Sequence, residues 1–513
     1  MTPPVPLVIG LDVGTSSVKA AVFGADGARG AVVRRAVSTT NDGHDHVTQE
    51  VDQLRDATLG ALAETVAHAP RRPDAVAVCT AMHGLAGLDA AGRPLTPLVI
   101  WADHRATEIV EAWKQTGTAA FVHHRTGVPL HPMAPLAKLA WFAEAEPATA
   151  QRVTRWVDLK ALVLQWLTGE AVTEISSASG WGLMDIRSHL WDHDALELAR
   201  VDETRLPGIE SSTAIRPLIT GAAEQVSLPA GTPVILGAGD GPLGNVGVGA
   251  IHPGVAGLSL GTSGAVRVVV DHVPERIPGL FCYALTERQW VLGGAVSNGG
   301  NITRWLADAL LAHPSGESWR DREAVLALAA SSAPGSDGLV MLPYLVAERA
   351  PLWDAEMPGA YLGVRRGHTA EHFARAAIEG VSAGLGVVAD QIAARAPCTE
   401  VRATGGTMRS PLWRALVAAA LARPMIVGHA LEGSALGAAV MGLVGLGEAD
   451  DLASARRLLV GDDSNDDRVP VSAELAEAAA ATRRRIAALG GQLAEATSAY
   501  DPAPLELREV PPE

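Results

Sequence analysis

The apolar positions fall first into short unbroken runs and only then into helical spacing. Leu7 to Asp12, Val18 to Phe23 and Ala31 to Ala36 read as three strands of a meander. A Gly-Thr-Ser-Ser turn joins the first two, and Gly-Ala-Asp-Gly follows the second. From Val51 to His68 the spacing changes to three and four, through Val51, Leu54, Ala57 and Ala61, which predicts a helix. Ala75 to Cys79 is a short buried strand with Ala81-Met82-His83-Gly84 just past its end. Val234-Ile235-Leu236 is another, closed by Gly-Ala-Gly-Asp-Gly. Gly293 to Asn301 is glycine-rich and leads into a helix from Ile302 to Leu311. Ala403-Thr404 ends a strand at Gly405-Gly406, before a helix that begins near Pro411. Ser434 to Leu446 is an Ala/Gly-rich helix suited to close packing. A last helical stretch carries Thr482-Arg483-Arg484-Arg485, read as a solvated face, ahead of a Pro/Glu-rich tail.

One pattern occurs twice. Gly10-Leu11-Asp12-Val13-Gly14-Thr15-Ser16-Ser17 precedes the run from Val18, and Gly257-Leu258-Ser259-Leu260-Gly261-Thr262-Ser263-Gly264 precedes the run from Ala265. Each is strand, Gly-Thr-Ser turn, strand. Their separation of about half the chain predicts two domains on one plan. The copies differ chemically at one place, where Asp12 has Ser259 as its counterpart.

Composition narrows the function. The 513 residues suit two large domains or three small ones, and 48% hydrophobic against 19% charged residues supplies a real core. With 41 basic and 57 acidic residues the formal charge is −16, which argues against nucleic acid or anionic membrane as partners. Cys79, Cys282 and Cys398 lie too far apart in sequence for a CxxC metal site and too few for a disulfide framework, so buried thiols are expected. The longest apolar stretch, Ser434 to Gly447, is short of the ~20 residues a bilayer needs, and no basic region precedes the first strand. A cytoplasmic setting is the expectation.

A Gly- and hydroxyl-rich turn after a strand can point backbone N–H groups at one anion, with Thr15, Ser16, Thr262 and Ser263 adding hydroxyl donors. Singly, each turn is equally a tight hairpin; paired, they suggest a nucleotide gripped between two domains. No GxxxxGK[ST] loop is present, and Lys19 reads as structural or charge support. Asp12 either bonds turn amides or holds Mg²⁺. Asp240 is either a plain turn residue or a base that accepts a hydroxyl proton. His83 reads alone as structural. Trp101-Ala102-Asp103-His104-Arg105 concentrates the apolar, acidic and basic groups that a polyol site needs.

Taken together, these segments resemble the FGGY carbohydrate kinases from about residue 7 to about residue 450. Leu11 to Lys19 is similar to that family's first phosphate segment, Met82-His83-Gly84 to its sugar-contacting turn, and Pro97 to Arg105 to the lining of its sugar pocket. Met133 to Phe142 and Gly359 to Glu379 resemble its two signatures. The resemblance implies an α/β fold of two actin-like (ribonuclease-H-like) domains with an interdomain cleft. It places a sugar-binding domain over 1–250, a nucleotide-binding domain over 251–450 and a helical extension and tail over 451–513. It implies Asp240 as catalytic base and Met82, His83, Trp101, Asp103 and Arg105 beside it as sugar contacts. Gly14, Thr15, Ser16, Gly261, Thr262, Gly300, Arg304, Gly406 and Ser410 become ATP contacts, and Asp12 the carboxylate at Mg²⁺. Arg304 stands where some relatives carry Gln, and Ser410 where many carry Asn.

Arg125 to Met133 and Gly261 to Arg267 are similar to segments of the gluconate-phosphorylating members, while Ala347-Glu348-Arg349 replaces the commoner Gly-Glu-Arg. The implied activity is ATP-dependent phosphorylation of D-gluconate to 6-phosphogluconate, by an enzyme for which the family allows a homodimer. A substrate carboxylate calls for a cation, with Arg105, His131, Arg267 and Arg349 as candidates. A xylulokinase-like ketose or polyol kinase, a non-catalytic sugar-binding relative and an actin-like chaperone ATPase are the alternatives.

Overall fold

The computed structural model describes residues 6–497 except 25–29, 44, 276, 312–317, 347, 355–356, 429–431 and 462–466. The expected Gly24–Gly27 turn falls largely outside the described residues, and the Pro/Glu-rich tail wholly so.

The first half builds a mixed sheet from β1 (Val8–Val13), β2 (Ser17–Phe23) and β3 (Val33–Ala36), followed after helix α1 (Val51–Ala67) by β4 (Ala75–Thr80). Helices α2 (Pro135–Ala145) and α3 (Leu159–Thr168) intervene before β5 (Ile215–Pro217), β6 (Pro233–Gly239) and the short α4 (Asp240–Gly247). The strand order is β5-β6-β4-β1-β2-β3. β1 lies at the centre, antiparallel to β2 and parallel to β4, so every one of its residues is buried. That position explains its unbroken apolar run better than alternation would.

The second half repeats the plan. β7 (Gly254–Leu260), β8 (Gly264–Val270), β9 (Phe281–Thr286) and β10 (Gln289–Val296) lead into helix α5 (Asn301–Leu310) and the long α6 (Ala370–Ala393). β11 (Cys398–Thr404), α7 (Pro411–Leu421), β12 (Met425–Val427), α8 (Gly433–Gly445), the edge strand β13 (Asp467–Arg468) and α9 (Ala473–Thr497) complete it. The sheet order is β9-β10-β8-β7-β11-β12-β13. Laid side by side, β3-β2-β1-β4-β6 matches β10-β8-β7-β11-β12 in order and direction. The internal repeat is therefore structural, and both Gly-Thr-Ser turns cap the central hairpin of a ribonuclease-H-like sheet.

Helix α8 comes late in the chain but packs on β1, β4 and α4 of the first half, so the second half reaches back under the first. Lys19 of β2 meets Glu432 at the start of α8 at 2.7 Å, which gives that lysine the structural role expected of it.

The Gly-rich stretch from Gly293 begins inside β10, which runs to Val296, and leads into α5. Two sequence expectations need correction. The arginine cluster of α9 is not simply solvated: Thr482 is buried, and Arg483 bonds the Ala420 carbonyl and pairs with Asp390 at 3.1 Å. Finally, among the described residues the helix both long and apolar enough to cross a bilayer is α6, not the 434–447 stretch, and most of that apolar window is buried inside the protein. All three cysteines are buried and free, as expected.

Candidate active site

β6 carries the residue around which the site is built. Its pairing with β4 slips between Ile235 and Ala238. Gly237 makes that slip possible at φ 73°, where a Cβ would lie 1.9 Å from the Val78 carbonyl oxygen. The bulge turns the strand end so that Asp240 opens α4, its Oδ1 accepting from the Gly241 amide at 2.7 Å. Burial pushes the Asp240 carboxyl above the usual carboxylate range, against the pull of Arg267 and, more weakly, of Arg349.

Asp240 borders a cavity of about 240 Å³. Met82, His83, Trp101 and Met133 wall it from the first half, and Ser263, Arg267, Tyr283, Arg349 and Trp353 from the second. His83 sits at φ 65°, unusual for a non-glycine residue, with Nδ1 2.8 Å from the Gly180 carbonyl and Nε2 3.4 Å from the Tyr283 hydroxyl. Burial lowers its pKa to about 3, so the imidazole is neutral, donates to Gly180 and leaves Nε2 as an acceptor. Arg349 lies over the Trp101 ring, Cζ 5.1 Å from its centre.

Not every expected sugar contact arrives. The structure does not bring Asp103 and Arg105 into this cavity. Asp103 is fully buried and accepts Arg105 Nε and Nη2, each at 2.8 Å, and the Val47 amide at 2.6 Å. Arg105 stacks over Trp141 at 4.9 Å. Both side chains are consumed in bracing the segment that presents Trp101.

Two buried lysines, neither assigned a role from sequence, do similar work. Lys138 Nζ donates to the carbonyls of His83 and Ile100, each at 2.7 Å, and of Val99 at 3.3 Å, fixing the loops that carry His83 and Trp101. Lys160 Nζ donates to Val78 at 2.7 Å, Leu236 at 2.5 Å and Ala238 at 3.3 Å, with Glu174 3.8 Å away. It ties β4 to β6 at the bulge beneath Asp240. A lysine among the apolar residues of each helix's first turns, Lys138 in α2 and Lys160 in α3, was the signal available in the sequence.

The two Gly-Thr-Ser turns are held from behind by hydrogen bonds to their carbonyls. Around the first, Gln49 Nε2 holds the Thr15 carbonyl at 2.5 Å and the Val37 amide holds the Ser16 carbonyl at 3.1 Å, while Gly14 closes the hairpin onto Ser17. The Thr15 and Ser16 amides find no acceptor among the described residues. In the second, the Gly300 amide donates to the Gly261 carbonyl at 2.7 Å, Asn301 N donates to Thr262 O at 3.3 Å, and Thr407 Oγ1 bonds the Leu260 carbonyl. Gly405, at φ 115°, lets that last turn lie against β7, since a Cβ would fall 2.2 Å from Leu260 O. Gly261, Gly300 and Gly406 thus converge, with Gly261 and Gly406 facing open space that a Cβ would fill. Arg304 is half-buried on α5 and makes no ion pair or hydrogen bond among the described residues. Ser410 caps α7, its Oγ accepting from Trp413 N at 3.4 Å.

Asp12, at 8% exposure, has no ion pair among the described residues, since its neighbour Lys19 gives its ammonium to Glu432. Burial raises its carboxyl from 3.8 to about 6, with Lys19 opposing and Asp240 reinforcing. Among the described residues no three His, Cys, Asp or Glu side chains cluster as a metal cage. A single desolvated carboxylate beside an open phosphate turn fits Mg²⁺, which takes one or two carboxylates and completes its shell with phosphate and water.

A prediction follows from that cost. Between about pH 4 and pH 6 the unfolded chain has lost the Asp12 proton while the folded one retains it, so stability falls as pH rises through this window. Without nucleotide or metal, Asp12→Asn should be more stable than the parent by about 3 kcal/mol at pH 7 to 8, with no difference below about pH 4. Urea unfolding across that range reads it; a pH-independent gap would contradict it.

The comparisons with known proteins agree with this geometry. Residues 7–247 match the N-terminal domain, and 256–446 the C-terminal domain, of the FGGY family of carbohydrate kinases. The chain belongs to that family. It is 34% identical over 464 residues to a gluconokinase of Bacillus licheniformis, covering 86% of this chain and 88% of that protein. Among solved structures, gluconate kinase of Lactobacillus acidophilus matches with a TM-score of 0.87 at 29% identity over 97% of this chain and 99% of that one. A ligand-bound xylulose kinase of the same species also gives 0.87 at 29%, over 96% and 99%. This FGGY chain is therefore a carbohydrate kinase of two actin-like domains. Overall shape does not separate the two sugars, so the choice rests on the cavity.

Proposed function

We propose that this kinase transfers the γ-phosphoryl group of ATP to the terminal hydroxyl of D-gluconate, giving 6-phosphogluconate. The observation that carries the reading is the charge of the sugar cavity. Two arginines, Arg267 and Arg349, line it against one carboxylate, Asp240, while His83 is neutral. Glu348 attracts Arg349 but forms no ion pair with it among the described residues: its carboxyl accepts the backbone amides of Arg349 at 2.9 Å and Ser297 at 3.4 Å, and burial raises its pKa to about 8 against the pull of Arg349. A neutral sugar would leave a buried cation uncompensated, whereas a sugar acid balances it. The gluconokinase relative supports the same substrate.

In this reading Asp240 accepts the hydroxyl proton, aided by a pKa lifted towards neutrality. Met82, His83 and Trp101 orient the polyol chain, with Asp103 and Arg105 acting as supports behind Trp101. Gly14, Thr15, Ser16, Gly261 and Thr262 hold phosphate oxygens, while Gly300, Arg304, Gly406 and Ser410 carry the rest of ATP. Asp12 holds Mg²⁺, which when bound neutralises phosphate charge. The sugar-binding domain is taken as 1–250 and the nucleotide-binding domain as 251–450, with 451–513 as an extension, each ligand also meeting residues of the other half. Rate comes from positioning and charge stabilisation as the halves close over the substrates.

A ketose kinase is the second reading, favoured by the equal structural match to xylulose kinase. Coupled ADP release across D-gluconate, D-xylulose, D-ribulose and glycerol tests the choice. Gluconate should give the highest kcat/KM, by at least about 100-fold; a preference for xylulose would overturn the sugar-acid reading.

A further inference from the structure

Arg267 and Arg349 share one cavity but are not equally committed. Arg349 donates Nε to Ser297 Oγ at 3.3 Å and Nη2 to the Val296 carbonyl at 3.0 Å, and its plane is occupied by Trp101. That leaves Nη1 and the second hydrogen of Nη2 for a ligand. Arg267, projecting from β8, makes a single hydrogen bond, Nη1 to Ser259 Oγ at 3.2 Å. Its Nε and Nη2 find no acceptor among the described residues, and no carboxylate there comes within 4.0 Å.

Those two groups form the edge of the guanidinium that receives a carboxylate through two parallel bonds. The edge faces Gly241, where a Cβ would sit 3.2 Å from Nε and 3.3 Å from Nη2, so the lack of a side chain keeps the approach open. Ser259, the residue standing where the first repeat has Asp12, steadies the far nitrogen without neutralising it. A carboxylate at that position would have closed the ion pair within the protein. A buried guanidinium with an open fork and one neutral hydrogen-bond partner, attracted by Asp240 only from beyond ion-pair distance, stays costly until an anion completes it.

We infer that Arg267 is the specificity-determining residue for an acidic sugar, its Nε–Nη2 edge pairing with the substrate carboxylate. The inference rests on the sugar-acid reading and adds to it the residue responsible. Its rival is that Arg267 holds the transferring phosphoryl group, which is common to every acceptor. The two make opposite predictions.

The test compares D-gluconate with D-glucitol, the same carbon chain with a hydroxymethyl group in place of the carboxylate, at saturating ATP and Mg²⁺. The parent enzyme should favour gluconate strongly in kcat/KM. In Arg267→Met that preference should shrink by about 100-fold or more, chiefly through KM for gluconate. Arg267→Lys keeps the charge but not the fork, and should retain only part of the preference; it carries the test if the methionine variant does not fold. Equal losses with both sugars, preference intact, would assign Arg267 to the phosphoryl group or to structure and overturn the inference alone. A parent enzyme indifferent to the carboxylate would overturn the sugar-acid reading, and this inference with it.

Discussion

Asp240→Asn should leave the fold and nucleotide affinity in place and remove about 10³-fold of turnover, the scale of a lost general base. The substitution keeps the size of the side chain and an oxygen able to accept from Gly241 N, so the start of α4 loses little. What disappears is the only carboxylate lining the sugar cavity among the described residues, and with it the acceptor for the hydroxyl proton. Because burial has lifted its pKa, Asp240 matches that task better than an exposed aspartate would. Steady-state kinetics with gluconate, alongside ATP-analogue binding, measures both halves of the expectation. Near-normal turnover would remove Asp240 from the role.

Lys160→Met should be the most damaging change away from the ligands. Its ammonium closes three carbonyls at the β4–β6 junction and lies 3.8 Å from the buried Glu174. Methionine fills the volume but leaves those acceptors and a carboxylate without their cation, a loss of about 4 kcal/mol. The melting temperature should fall by roughly 4 to 8 °C, the larger shift if the first half unfolds on its own. Turnover should fall as well, since the bulge aims Asp240. Adding Glu174→Gln should recover part of the stability, because an unpaired buried charge costs more than an unpaired amide. Single and double variants followed by calorimetry decide it, and a Lys160→Met protein as stable as the parent would contradict this role.

Much of the architecture could be read from the chain because it depends on local pattern. β1 sits in mid-sheet, so its run of apolar residues is unbroken, and the twin Gly-Thr-Ser turns disclosed the two-fold plan. Asp240 stands out in the sequence for the same reason, as a carboxylate among glycines at a strand end, and it lies on the cavity wall. The sugar wall was less so. Asp103 and Arg105 have the right chemistry for a polyol site, but two residues apart they satisfy each other, and sequence proximity says nothing about that closure. Conversely, Tyr283 and Trp353 reach the cavity from distant positions with no local motif to mark them. Arg267 and Arg349 emerged from four candidate cations because His131 is buried and held neutral, with burial lowering its pKa, while Arg105 is already paired.

On the sugar-acid reading the cavity carries one positive charge too many for a neutral sugar. Competition decides it: equimolar D-gluconate and D-xylulose, limiting ATP, and the phosphorylated products resolved by mass spectrometry. The expected product is 6-phosphogluconate almost alone. Xylulose phosphate in equal or greater amount would contradict the account.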